Sequence, residues 1–219
     1  MKGGLVISIS GVDGTGKTTQ AALLIKYLRH RGYRCIYSHV RFGHFFSVPL
    51  LALARIGGFT RIYRTAQGTQ VGIHFFGKSK ALASLYPITF YIDTAINMAL
   101  KVHLHTLFGR IVVADRFVYD ALVDLMVSTG KTDLLRSTVG RLLLRLVPKT
   151  HMKVGLSLPP ALLRYRREEL EFDVTLDERQ LLFTKVTKEL GIPIISTEGS
   201  IGAIHNLILE KLWLDHGRV

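Results

Sequence analysis

The sequence predicts an α/β fold in three layers, with a five-stranded parallel sheet covered by helices on both faces. Three observations predict it. Short apolar runs rich in Val and Ile recur along the chain and alternate with stretches of helical period. A glycine-rich turn at residues 11–18 sits between the first such run and the first helical stretch. The length, 219 residues, suits a single domain over 1–219 with a substantial core.

The elements follow in order. Leu5-Val6-Ile7-Ser8-Ile9-Ser10 is a β-branched run of the kind that fills a buried strand. After Lys17, apolar residues return at Ala21, Leu24, Ile25 and Leu28, which is helical spacing. Residues 34–40 read as a second strand. Residues 44–56 are apolar around Arg55 and read as helix, while 57–80 are rich in Gly, Thr, Arg and Lys and read as a loop-rich insertion. Together 44–80 form an atypical region. One or two long helices are expected over 81–107, with Pro87 marking an early start or a break. Ile111-Val112-Val113-Ala114 is a central strand. Helices are expected over 118–129 and 133–147, a fourth strand over 152–158 ended by Pro159-Pro160, and a charged helical stretch over 161–171. A helix over 175–190, a fifth strand over 192–196 and a last helix from Ser200 complete the chain. In such a sheet, ligands gather beyond the carboxyl ends of the strands.

Composition excludes some classes of function. Cys35 is the only cysteine, so an internal disulfide and a cysteine zinc cluster are both ruled out, and a small buried apolar role in a reducing cytoplasm is expected. Neither a signal peptide nor a membrane span is expected. The net charge is +13, and it is concentrated in residues 1–160, which hold 21 Lys/Arg and 6 Asp/Glu. Such a body attracts polyanions. No basic run is interleaved with aromatics, so nucleic acid is not the expected partner. Where acids are so scarce, each needs a reason. Asp13 lies inside the glycine-rich turn, Asp115 ends a strand, and Asp120 and Asp124 share one helical face.

Residues 11–18, Gly-Val-Asp-Gly-Thr-Gly-Lys-Thr, match the phosphate-binding pattern G-x-x-x-x-G-K-[ST] at every fixed position. A P-loop fold is therefore the specific expectation. Gly11, Gly14, Thr15, Gly16, Lys17, Thr18 and Thr19 cradle a nucleotide. The glycines let backbone N–H groups curl around phosphate oxygens, and the helix N-terminus adds a favourable dipole. Lys17 reaches the outer phosphates and the Thr18 hydroxyl holds Mg²⁺. An Asp at the end of a neighbouring strand is the second metal partner, here Asp115, and the adjacent Arg116 reaches a second phosphate. The histidines form no ligand spacing for a transition metal.

With the loop and Asp115-Arg116-Phe117 in place, the chain resembles the thymidylate kinase family of nucleoside monophosphate kinases, over most of its length and least in 44–80. The resemblance implies ATP and Mg²⁺ as cofactors, a small-molecule phosphate acceptor, nucleoside monophosphate foremost, and a homodimer. It implies that Asp13 faces the acceptor, that Arg41 and Arg116 bind acceptor phosphate, and that an aromatic residue stacks on the base. Phe90 falls at that aromatic position, although a core aromatic on a helix fits it equally; Phe42 and Asp120 are further acceptor-site candidates. Thr94 falls where the family carries a phosphate-binding Arg, which leaves open a nucleoside or other small alcohol as acceptor. The phosphate loop itself holds no Arg, so the catalytic arginine is expected from a lid over 159–173. Arg164 and Arg166 are the foremost candidates, with Arg167 behind them, and pairing of these arginines with Glu168, Glu169 and Glu171 on a solvated helix is the competing reading. The run His44-Phe45-Phe46 through Ile56, with basic neighbours, has the look of an interfacial helix, but a core or acceptor-pocket helix explains the same residues and a membrane surface is not the expected partner.

Overall fold

The computed structural model describes residues 4–40, 45–64 and 70–214. β1 (Leu5–Gly11), fully buried, leads through the glycine-rich turn into α1 (Lys17–His30), and β2 (Cys35–His39) follows. Next come α2 (Val48–Ile56) and the strands β3 (Thr60–Arg64) and β4 (Gln70–His74), then α3 (Lys80–Met98), a turn of π-helix and α4 (Leu104–Leu107). β5 (Ile111–Asp115), α5 (Val118–Thr129), α6 (Thr138–Arg145) and β6 (His151–Ser157) build the centre of the molecule. α7 (Pro160–Arg166), α8 (Leu176–Glu189), β7 (Ile194–Ser196) and α9 (Ile201–Leu214) complete it.

The five-stranded sheet has the order β2-β5-β1-β6-β7, and every pairing in it is parallel. Because neighbouring strands run parallel, each connection crosses a face of the sheet and carries helices with it. The even-numbered residues of β1 and β5, such as Val6 and Val112, face a core shared with α3, α5 and α8. The odd-numbered ones, Leu5, Ile7, Ile9 and Val113, face α1 and α9. This is the three-layer α/β arrangement expected from the sequence. Gly11 at the tip of β1 and Asp115 at the tip of β5 lie at the same end of neighbouring strands, with Ile9 opposite Asp115 in the register. That alignment brings the two motifs together.

Three local expectations are corrected. The described residues of 57–80 are not loop-rich: Thr60 to Arg64 pairs antiparallel with Gln70 to His74 in a separate two-stranded sheet. Thr60, Ile62 and Tyr63 carry β-propensity that the surrounding Gly and Arg mask in a composition count. Pro87 neither starts nor breaks a helix. It sits inside α3, whose N-cap is Ser79, the hydroxyl accepting from Leu82 N at 3.4 Å. Burial of Leu82, Tyr86, Pro87 and Phe90 on the inward face outweighs the lost backbone bond. The stretch 133–147 splits into a 3₁₀ turn at Leu134–Arg136 and α6, because the extended Ser137 caps the new helix through Gly140 N at 3.1 Å.

One buried acid sets the entry to α2. Asp93, 1 % exposed on α3, accepts from Phe46 N at 2.8 Å and from Ser47 N at 2.9 Å. Burial alone pushes its carboxyl up, but the bonds from Ser47, Phe46 and Phe45 outweigh burial and hold it below the ordinary carboxylate range. Replacing Asp93 by Ala orphans both amides, so Asp93→Ala is expected to cost about 2 kcal/mol and to lower Tm by about 5 °C. A depressed folded-state value stabilises at neutral pH and loses its contribution as pH falls through that value. The gap in melting temperature between wild type and Asp93→Ala, followed by differential scanning calorimetry, should therefore shrink in strong acid; a constant gap would refute the assignment.

Candidate functional site

The turn after β1 is built for close approach. Gly14 and Gly16 have φ of 86° and 87°, a region that residues with a Cβ adopt at a cost. A Cβ on Gly11 would lie 2.5 Å from the Leu156 carbonyl oxygen, so the turn also packs flush against β6. The Val12 carbonyl gathers the loop: it accepts from Thr15 Oγ1 at 2.8 Å, from Thr15 N at 3.3 Å and from Lys17 Nζ at 2.8 Å. The Thr15 hydroxyl is thereby spent on closing the turn, and only its backbone remains for the cradle proposed from sequence. Lys17 is 5 % exposed and lies 3.7 Å from Asp13.

Asp115 of the second motif is met by one residue of the loop and two of β2. Thr18 Oγ1 donates to Asp115 Oδ2 at 2.6 Å, and Tyr37 OH donates to the same oxygen at 2.8 Å. His39 Nδ1 stands 3.8 Å from it. Asp115 is 1 % exposed, and its other oxygen, Oδ1, is buried with no hydrogen-bond partner among the described residues. Burial, then the bond to Asp115, pushes the Tyr37 phenol up to about 12, so it remains a donor at any ordinary pH. Arg116 follows in the left-handed region, φ 68°, rare for a residue with a Cβ, and its N–H is held by the Ile9 carbonyl at 3.1 Å. The turn aims its guanidinium at Asp13, with which it forms an ion pair. Burial lowers the Arg116 pKa, the Asp120 charge opposes that shift and the Arg167 charge adds to it.

Asp120 has a different place from the one the resemblance implies. It accepts from Gly11 N at 2.8 Å and from Phe117 N at 2.7 Å, so both carboxylate oxygens are bound by backbone and the side chain staples the tip of β1 to the start of α5. Asp124 pairs with Arg179 of α8, which also donates to Thr175 Oγ1 at 3.0 Å.

The arginines after β6 separate. Arg164 turns outward to Asp177, with Nη2–Oδ2 at 2.5 Å, and Arg166 donates to the Thr197 carbonyl at 2.8 Å. Neither lines the cleft, which corrects the expectation that they come first. Arg167 does. α7 ends at Arg166, and Arg167 is extended, with φ −142° and ψ 107°, which carries it out of the helical row and back over the loop. A Cβ placed on Gly14 would lie 3.1 Å from both Leu163 Cδ2 and Leu170 Cδ1 and 3.5 Å from Arg167 Cδ. The segment around α7 therefore rests directly on the phosphate loop. Asp13, Gly14, Gly16, Lys17, Thr18, Thr19, His39, Arg116 and Arg167 enclose a cleft of about 380 Å³.

Two acceptor-site expectations are corrected by burial. Phe90 is 2 % exposed and packs against Tyr86, ring centroids 5.6 Å apart, within the core. Thr94, one turn later and 2 % exposed, donates its hydroxyl to the Phe90 carbonyl at 2.7 Å. The face of α3 that carries both is its core face, so an aromatic plane and a free donor are not presented to the cleft. Arg41 and Phe42 lie outside the described residues. Tyr37, His39 and Arg167 were passed over or ranked low from sequence. For the first two the available signal was their spacing: two apart on a strand next to the Asp115 strand, they share one face.

No protein-family model matches the chain. It is 28 % identical over 119 residues to a probable thymidylate kinase of Thermococcus gammatolerans, covering 54 % of this chain and 51 % of the relative. It is 26 % identical over 118 residues to a thymidylate kinase of Fervidobacterium nodosum, covering 54 % of this chain and 49 % of the relative. The chain thus spans about half the length of the curated relatives it matches. In fold it is similar to the crystal structure of thymidylate kinase from Ehrlichia chaffeensis, with a TM-score of 0.56, 18 % identity, and coverage of 95 % of this chain and 97 % of that one. Over about half its length the chain is similar in sequence to thymidylate kinases, and over nearly all of it the chain shares the fold of a solved thymidylate kinase.

Proposed function

We propose that the protein is an ATP-dependent phosphotransferase that converts a nucleoside monophosphate, thymidylate foremost, to the diphosphate with release of ADP. The observation that carries this reading is the juxtaposition of Thr18 and Asp115 at 2.6 Å beside Lys17, with Arg116 and Arg167 on the same cleft. Thr18 Oγ1 and the partnerless, buried Asp115 Oδ1 suit a hard cation such as Mg²⁺, which when bound would neutralise phosphate charge. Phosphoryl transfer asks for positioning and charge neutralisation more than covalent chemistry, and the remaining residues supply both. The loop amides and Lys17 hold the donor tail. Arg116, with Arg41, binds acceptor phosphate, and Asp13 orients the acceptor while fixing Lys17 and Arg116 in place. The seat of Leu163 and Leu170 on Gly14 supports a lid role for the segment after β6, which excludes water from the transferring group.

A homodimer belongs to the same reading. Leu85, Ile88 and Ile92, at helical spacing on the outer side of α3, are 51 %, 51 % and 37 % exposed and form an apolar stripe suited to a second copy. A cytoplasmic location is also part of it, and cell fractionation tests that.

ADP formation that depends on added thymidylate is expected in a coupled assay, and its absence with every common nucleoside monophosphate would overturn the reading. Lys17→Ala should lower kcat by about 10²–10³ with little change in Tm. Arg167→Ala should lower kcat by about 10²–10³, whereas Arg164→Ala should stay within a few-fold of wild type; the reverse order would return the catalytic role to the helical arginine. Sedimentation analysis should find a dimer that Ile88→Glu converts to monomer, and an unchanged mass would remove α3 from the interface.

A further inference from the structure

The apolar run 45–56 does not form a core or pocket helix. Of the nine residues of α2 only Ala54 is buried. At 100° per residue Val48, Pro49, Ala52, Leu53 and Ile56 share one half of the helix, and that half faces outward. Leu53 is 61 % exposed and Ile56 85 %, and Phe45 and Phe46, just before the helix, are 67 % and 55 % exposed. The inner half makes its contacts through Ala54 and the partly buried Leu50 and Leu51. A surface helix ordinarily turns its apolar half inward and a polar half outward; this one is apolar on both halves and leaves one of them uncovered.

The helix is held in this orientation at both ends. Asp93 binds the amides of Phe46 and Ser47 at the entry to α2. At its exit Phe59 N donates to the Ala54 carbonyl at 2.8 Å, and Phe75 N then donates to the Phe59 carbonyl at 2.8 Å, which joins α2 to the β3–β4 hairpin. That hairpin adds the exposed Ile62. The charged residues of the segment that carries the patch, 45–80, are of one sign. Residues 14–92 hold eleven Lys/Arg and no Asp or Glu. Arg55, Arg61, Lys78 and Lys80 are exposed, while the nearest acid in sequence beyond them, Asp93, is buried with its oxygens on backbone amides.

We propose that α2 and the adjoining hairpin form a peripheral docking surface for an anionic lipid bilayer. Exposed Phe, Leu and Ile side chains enter the headgroup boundary and the surrounding cations meet anionic headgroups. A second copy of the chain fits this surface poorly. A twofold contact brings the patch against itself and faces Arg55, Arg61, Lys78 and Lys80 with their own mates, and the 14–92 stretch has no acid to compensate them. No helix among the described residues is long and apolar enough to cross a membrane, and the contact proposed is interfacial.

Flotation of the full chain with vesicles of phosphatidylglycerol and phosphatidylcholine, against vesicles of phosphatidylcholine alone, tests the proposal. Binding is expected to the anionic vesicles and should weaken steeply as salt screens the cations. The double variant Leu53→Asp, Ile56→Asp should lower partition about tenfold or more, and Arg55→Glu with Arg61→Glu should lower it comparably. Because these side chains are exposed, the melting temperature serves as the folding control. Lys17→Ala should bind vesicles like wild type, so a failed kinase assay and a failed flotation remain separate results. Absence of binding to anionic vesicles, or equal binding to neutral ones, would overturn the proposal. It would equally fall if the Leu53→Asp, Ile56→Asp variant changed the oligomeric mass while vesicle binding stayed the same, since the patch would then belong to a second copy.

Discussion

The site depends on one buried carboxylate. Asp120 accepts from the amide of Gly11 through one oxygen and from that of Phe117 through the other, joining segments more than a hundred residues apart in the chain. Both bonds are charge-assisted, and both lie where water does not compete. Their effect is to fix the spacing between the phosphate loop and the turn after β5. Without that spacing, Thr18 would not reach Asp115 and Arg116 would not reach Asp13. Arg116 sits in a left-handed conformation that costs about 1–2 kcal/mol, and the staple, with the Ile9 carbonyl, holds the chain there. The strain is spent on aiming a guanidinium.

Around this staple the charges are arranged so that few acids hold many cations. Asp13 contacts both Lys17 and Arg116 while remaining 36 % exposed. A half-exposed carboxylate is screened and holds its partners less firmly than a buried one would. Two cations are thereby oriented toward the cleft without being neutralised in the deep, costly way of a buried ion pair. Asp115 is the opposite case. Its Oδ2 is shared by Thr18 and Tyr37, and Oδ1 is left unsatisfied in the interior, a cost that a folded protein seldom carries without a use.

Much of this was legible in the sequence. The order of strands and helices, the loop and the strand-end Asp-Arg pair each rest on local chemistry: period, glycine, and the position of a charged residue after an apolar run. What failed was the choice among residues with equivalent periodicity. Phe90 and Thr94 are one turn apart and so share a face, but helical spacing does not say whether that face meets the cleft or the core. Among the three arginines after β6, the one that lines the cleft is the one outside the helix. Arg167 is carried there by an extended backbone that no side-chain pattern announces. Asp120 was noticed because acids are scarce, yet its role came from two backbone amides that no sequence motif marks.

Helix α2 shows why hydrophobicity and burial have to be argued separately. Apolar residues on one face of a helix state that the face needs a partner; they do not name the partner. Here both halves are apolar, and the inward one is that of Leu50, Leu51 and Ala54. Ala54 lets the backbone approach, Asp93 fixes the entry through two amides, and Phe59 ties the exit. Leu53 and Ile56 stay uncovered, although each would contribute about 1.5–3 kcal/mol if fully buried. A fold that leaves this half uncovered, on a helix and hairpin whose charged residues are all Lys or Arg, presents an apolar face whose complement is both apolar and negatively charged. A lipid surface with anionic headgroups combines those two properties, and a second copy of the same patch does not.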